Sequence, residues 1–138
     1  MSLHRPPMAV VVDASSMVEV LIGATSWTER IGEWQDVGAM LLAPQHFGVE
    51  TANALVKGVG LDPLDAISRL QQLFLAGVEL VDRGLPALYD SIELAGRHGL
   101  TVYDAVYLQL VLEVEGELAT CDRALASAAR AEGIAVIT

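Results

Sequence analysis

Met8-Ala9-Val10-Val11-Val12-Asp13 is the stretch that decides how the rest of this chain is read. Its apolar residues run together without the polar alternation of a strand that has one wet face. A continuous β-branched run of this kind predicts a strand buried on both faces, as in the middle of a parallel sheet. Asp13 then closes the run at its carboxyl end, which is where open α/β sheets bind their ligands.

Outward from this strand, the pattern alternates. Ala14 to Ile22 predicts a short helix stopped by Gly23. Ser26 to Val37 predicts a second, with Trp27, Ile31 and Trp34 at helical spacing. Met40 to Ala43 reads as a strand closed by Pro44, and Gln45 to Lys57 as a helix ended by Gly58 and Gly60. Asp62 caps a helix that has Pro63 at its first position and runs to Ala76. Val78 to Val81 is a strand. Pro86 opens a helix to Arg97, and Thr101 caps another through Val114. Glu117 to Thr120 is a strand, Asp122 caps a helix from Arg123 to Glu132, and Ile134 to Ile137 is the last strand. This order predicts an α/β fold with a central parallel sheet of about five short strands and helices on both faces. Residues 1–7 read as a tail and residues 8–138 as one domain.

A chain of 138 residues can bury a sizeable core as one domain. With 53% hydrophobic and 19% charged residues it lies far from the disordered class. No apolar run approaches the ~20 residues of a membrane-spanning helix. Too few apolar residues separate Arg5 from Asp13 for a secretory signal. Cys121 is the single cysteine, so no internal disulfide can form. The expected location is the cytoplasm, with no membrane partner. The net charge is −10, from 18 acids against 8 bases, and Lys57 is the only lysine. Non-specific nucleic-acid binding rests on Lys and Arg neutralising phosphates. The balance therefore excludes a general nucleic-acid coat protein, while permitting an enzyme that grips phosphate through bound metal. No Gly-x-Gly-x-x-Gly or Walker loop is present.

Four acids stand out. Asp13 and Asp122 each end an apolar strand and precede a helix, a position that suits a helix cap as well as a ligand site. Asp104 follows Thr101 at capping-box spacing. Its helix is apolar on nearly every side, from Val102 to Leu112, so the acid lies near the interior, where a charge needs a partner or a metal. Helical spacing puts Phe47, Glu50, Ala54 and Lys57 near one face. A lone helical glutamate is ordinarily solvated, but Val49, Ala52 and Leu55 make this helix apolar. His46 and Glu50 stand at i and i+4, yet no second histidine completes a metal-binding pair, and His46 reads as an ordinary surface or core residue. Cys121 reads as a small buried side chain. Trp27 and Trp34 read as packing residues in preference to base-stacking ones.

Taken together, these segments resemble the PIN-domain family, most closely its small single-domain members, the VapC-type toxins of toxin–antitoxin pairs. The resemblance rests on Val11-Val12-Asp13-Ala14-Ser15, on Pro44 followed by Glu50 and Asn53-Ala54-Leu55, on Tyr103-Asp104-Ala105-Val106-Tyr107-Leu108, and on Thr120-Cys121-Asp122. It implies a metal-dependent endoribonuclease that hydrolyses RNA phosphodiester bonds. In that reading Asp13, Glu50, Asp104 and Asp122 are the catalytic acids and hold Mg²⁺ or Mn²⁺, one or two ions, directly or through water. Ser15 and Thr120 are supporting hydroxyls. The implied partners are an RNA substrate, a cognate antitoxin and a second copy of the chain in a homodimer. The chemistry is coherent, because hard divalent cations take oxygen ligands and four clustered acids repel one another without them. Members often carry a further acid just after the last aspartate, whereas here Arg123, Ala124 and Leu125 follow, which bears on a second metal. Two alternatives stand beside this one. The first is a catalytically inactive PIN-like interaction module. The second is a receiver-type signalling domain, which wants an acidic pair near the first strand and a lysine late in the chain.

Overall fold

In the computed structural model, which describes residues 9–138, all four residues of β1 (Ala9–Val12) are buried. The expected tail over residues 1–7 lies outside the described residues, as does Met8. β1 pairs in parallel with β2 (Met40–Pro44) on one side and with β4 (Glu117–Ala119) on the other. β3 (Val78–Val81) extends the sheet beyond β2, and β5 (Val136–Ile137) extends it beyond β4. The order is β3-β2-β1-β4-β5, all parallel, in agreement with the α/β sheet expected from the alternation.

α1 (Ala14–Leu21) and α2 (Thr25–Asp36) connect β1 to β2. α3 (Phe47–Asn53), a π-helical segment (Ala54–Val59) and α4 (Pro63–Leu75) connect β2 to β3. α5 (Gly84–His98) and α6 (Val102–Val114) lead to β4, and α7 (Arg123–Ala131) leads to β5. The chain steps outward from β1 to β3, then returns past β1 and steps the other way. Right-handed crossovers then place α1 to α4 on one face and α5 to α7 on the other. The packing agrees: α1 meets α2, α3 and α4, while α6 meets α5 and α7. The stepping direction reverses between β1 and β4, so their carboxyl ends open a crevice of the type in which doubly wound sheets bind ligands. Receiver-type sheets run 2-1-3-4-5 instead, and this order removes that alternative.

Trp27, Ile31 and Trp34 are buried in the core, as a packing role requires. Three elements differ from the sequence reading by two residues or more. The Gln45 to Lys57 helix starts at Phe47 and changes to π-helical winding at Ala54. Gly60, at φ +84°, ends it, and the Leu61 N–H donates to the Leu55 carbonyl. α5 begins two residues before Pro86, because the Asp82 carboxylate accepts the Gly84 N–H at 2.9 Å. β5 is confined to Val136–Ile137.

Candidate active site

β1 delivers Asp13 to the crevice, and α1 starts at the next residue. Asp13 is the N-cap of α1, its Oδ1 accepting the Ser16 N–H at 2.9 Å. It is also bound from across the crevice, where the Thr120 hydroxyl donates to Oδ2. The Ser15 hydroxyl lies 2.8 Å from both carboxylate oxygens. Each hydroxyl is itself fixed by the opposite turn or its own. Ser15 Oγ accepts the Cys121 N–H at 2.8 Å, and Thr120 Oγ1 accepts the Asp122 N–H at 2.9 Å. The turns after β1 and β4 are thus laced together around one carboxylate. Asp13 is 4% exposed. Burial pushes its carboxyl above the ordinary aspartate range, although the hydrogen bonds from Thr120, Ser16 and Ser15 pull the other way.

Asp122 follows in the second turn, and its Oδ1 caps α7 by accepting the Leu125 N–H at 2.9 Å. Asp104 lies half-buried in the first turn of α6, its N–H donating to the Thr101 hydroxyl at 3.1 Å. Burial raises its pKa, and so do the charges of Asp122, Glu50 and Asp13, while the Thr101 hydroxyl, which also lies at its carboxylate, pulls it down against these larger effects. Asp13, Glu50 and Asp122 are therefore all near enough to act on Asp104.

Glu50 comes from α3, and two side chains hold its Oε1. The Tyr107 hydroxyl of α6 donates at 2.7 Å, and His46 Nε2 stands 3.1 Å away. Partial burial would raise the Glu50 pKa, but the hydrogen bonds with His46 and Tyr107 outweigh it, and the carboxyl is held below its ordinary value. Burial first, then the hydrogen bond to Glu50, hold the Tyr107 phenol far above its usual range, so it acts as a donor.

The structure thus brings Asp13, Glu50, Asp104 and Asp122 to one crevice, with Ser15 and Thr120 touching Asp13. It adds Tyr107 and His46. Tyr107 stood within the Tyr103 to Leu108 segment without a role, and the i, i+4 spacing of His46 and Glu50 was the available signal for the other. Two readings are corrected. Cys121 is exposed, because β4 stops at Ala119 and the chain has already turned. Val49 does not help bury Glu50, since it is 74% exposed.

Whether a divalent cation suits this site can be judged from its donors. Glu50 Oε2 and Asp122 Oδ2 accept no hydrogen bond among the described residues, and Asp13, Asp104 and Asp122 enter no ion pair there. All are hard oxygen donors with uncompensated charge, which suits such an ion. Among the described residues, no three His, Cys, Asp or Glu side chains stand at metal-holding spacing. The donor set therefore fits an ion held by one or two carboxylates and otherwise by water, the usual manner of Mg²⁺.

Residues 10–138 match the PIN domain family. The chain is 33% identical over 127 residues to Ribonuclease VapC3 of Pyrobaculum aerophilum, covering 86% of this chain and 93% of that one. The crystal structure of PAE2754, also from Pyrobaculum aerophilum, superposes with a TM-score of 0.68 at 22% identity over 94% of this chain and 89% of that one. VapC20 of Mycobacterium tuberculosis, described as a sarcin-ricin loop cleaving toxin, gives a TM-score of 0.68 at 14% identity over 86% of this chain and 94% of that one. At these identities the two structures speak for the fold.

Proposed function

Since this chain belongs to the PIN-domain family, we propose that it is a divalent-metal-dependent endoribonuclease and the toxin of a toxin–antitoxin pair. Nucleases of this family use divalent metal ions, and a relative that shares a third of this sequence is named a ribonuclease. The observation that supports the proposal is the nearness of Asp13, Glu50 and Asp122 to Asp104 at the reversal point of the sheet, with Asp13, Asp104 and Asp122 in no ion pair among the described residues.

A bound divalent ion supplies an acidified water and stabilises charge on the phosphate oxygens. The chain's own residues hold the acids in place. Ser15, Thr120 and the Ser16 N–H fix Asp13, while Asp122 Oδ2 and Glu50 Oε2 are left open as acceptors. In this proposal Mg²⁺ or Mn²⁺ is the metal. One ion suits the site better than two, because Arg123, Ala124 and Leu125 supply no further acid. The substrate is RNA. The partners are a cognate antitoxin, whose basic segment complements the unpaired acids, and a second copy of the chain in a homodimer. Leu85, Tyr89 and Ile92 support an interface, since they form one exposed apolar stripe on α5. Among the described residues no helix is long and apolar enough to cross a membrane, which accords with the cytoplasmic location included in the proposal.

The test is incubation of pure protein with a panel of structured and single-stranded RNAs in Mg²⁺, in Mn²⁺ and in EDTA, alongside Asp13→Ala. Cleavage should need metal and vanish in the variant. Equal cleavage in EDTA, or a fully active Asp13→Ala, overturns the proposal. Absence of both cleavage and metal binding would return the chain to the inactive-module alternative.

A further inference from the structure

We infer that His46 and Tyr107 are positioning residues that pin one oxygen of Glu50 and thereby present the other to the catalytic crevice. The inference rests on the proposed metal-dependent activity and concerns how one of its acids is aimed. Glu50 is unlike Asp13 in its needs. Asp13 is short, buried and held by its own turn, whereas Glu50 projects from a helix on a longer side chain with more rotamer freedom and is only partly buried. Without a restraint it would sample several rotamers, and a carboxylate that wanders is a poor ligand.

The restraint comes from α6, the helix that also carries Asp104. Tyr107 is 2% exposed, so its ring cannot swing, and its hydroxyl donates to Glu50 Oε1 at 2.7 Å. Residues 104 and 107 are about one helical turn apart, so a single rigid element sets both the Asp104 carboxylate and the donor that aims Glu50. His46 closes the clamp from the other side. Its Nε2 is 3.1 Å from Glu50 Oε1 and 3.0 Å from the Tyr103 carbonyl oxygen. Both neighbours are acceptors, so Nε2 carries the proton, which it directs at the Tyr103 carbonyl with the Glu50 carboxylate alongside. The imidazole also packs against two tyrosine rings, with centroids 5.0 Å away for Tyr107 and 5.8 Å for Tyr103. The turn after β2 is thereby fastened to the first turn of α6. The Tyr107 hydroxyl and the adjacent His46 Nε2 take up Oε1, and Oε2 accepts nothing among the described residues. Oε2 is therefore the atom left to bind a cation or its water.

The test measures Mn²⁺ binding by electron paramagnetic resonance, a readout separate from cleavage, for the wild type, Tyr107→Phe, His46→Ala, His46→Gln and Glu50→Ala. Tyr107→Phe keeps the ring and removes only the donor. It should weaken Mn²⁺ binding about tenfold and raise the Mn²⁺ concentration needed for half-maximal cleavage by a similar factor. His46→Ala should do likewise, and His46→Gln should restore part of the loss by replacing the donor. In a Glu50→Ala background, Tyr107→Phe should cost no further affinity, because the carboxylate it aims is gone. The inference is overturned if Tyr107→Phe and His46→Ala bind Mn²⁺ as the wild type does, or if Tyr107→Phe costs the same with and without Glu50. The outcomes are distinguishable from failure of the proposed activity. A wild type that neither binds Mn²⁺ nor cleaves RNA overturns both, whereas an active wild type with unaffected clamp variants overturns this inference alone.

Discussion

Asp104 is the member of the quartet with the least support: half-buried, beside three other acids, and with only the Thr101 hydroxyl pulling its pKa down. A carboxyl whose folded pKa lies above its unfolded value stabilises the fold fully below the unfolded pKa and loses that contribution as pH rises through the folded one. The Asp104 charge therefore opposes folding of the metal-free protein at neutral pH. Asp104→Asn should raise the melting temperature in EDTA at pH 7 by roughly 3 °C, and the gain should shrink as pH falls toward the ordinary aspartate range. Millimolar Mg²⁺ or Mn²⁺ should stabilise the wild type, because it binds only the folded state, and should stabilise the variant less. Thermal melts at pH 7 and pH 4.5, with and without metal, decide this; identical wild-type curves with and without metal would count against the site. Thr120 supplies a donor to Asp13 and an acceptor to the Asp122 N–H. Thr120→Val keeps the shape but strands both groups, a loss of about 1–3 kcal/mol, while Thr120→Ser should recover most of it; urea unfolding of the two variants is the check. Asp13 and Asp122 were visible as candidates in the sequence because an apolar strand ending in a polar turn marks the carboxyl edge of a sheet, whereas Ser15 and Thr120 came only with the family resemblance. The roles of His46 and Tyr107 were not, because the Glu50–Tyr107 contact joins residues 57 apart. Helical spacing says which residues share a face of α3, but not which face of α6 meets it.

At the scale of elements, the site depends on how closely β4 lies against β1. The chain enters β4 at Gly116, where an added Cβ would stand 2.5 Å from the Ala9 carbonyl oxygen. Backbone cannot move aside as a flexible side chain can. Gly116→Ala should therefore destabilise the fold by about 1–3 kcal/mol. It should also lower activity in the folded fraction, because Thr120 and Asp122 ride on the displaced strand. An unchanged urea midpoint would show that the strands have slack. The strands themselves were readable because β1 is unbroken Val and Ala and each remaining strand sits between turn residues. The helix caps were readable as well: Asp13, Asp62, Thr101 and Asp122 all accept a backbone N–H of the helix they open. What escaped was winding. Nothing in Ala54-Leu55-Val56-Lys57-Gly58-Val59 distinguishes i→i+5 from i→i+4 hydrogen bonding, since periodicity over six residues is too short to separate the two. β4 also ran shorter than its apolar pattern, and so Cys121 fell on the exposed side of the turn.

The whole molecule carries a net charge of −10, and its few bases are partly spoken for. Arg69, Arg83 and Arg97 each pair with an acid of the chain, at Asp65, Glu113 and Glu132. Among the described residues Arg30, Lys57, Arg123 and Arg130 enter no ion pair, a small cationic set against 18 acids, and the acids of the crevice repel a phosphate backbone. Contact with RNA must then run largely through metal, and this separates two behaviours in solution. A protein that holds single-stranded RNA by cationic side chains loses affinity with monovalent salt at a slope of about −0.7 per phosphate contact. Even if all four of those bases met phosphates, the logarithmic slope here should be no steeper than about −2.8. Affinity should instead follow the divalent ion, collapsing in EDTA at constant ionic strength. Asp13→Ala then acts on two quantities at once. It removes a negative charge, which for an ordinary electrostatic binder would strengthen RNA binding. It also misplaces the cation, so binding in Mg²⁺ should stay level or fall while cleavage is lost. The measurement is RNA binding by fluorescence anisotropy across a KCl series, in Mg²⁺ and in EDTA, for both proteins. A steep KCl slope that persists in EDTA, or a marked gain in affinity for Asp13→Ala in Mg²⁺, would mean that a basic surface holds the RNA and the metal does not.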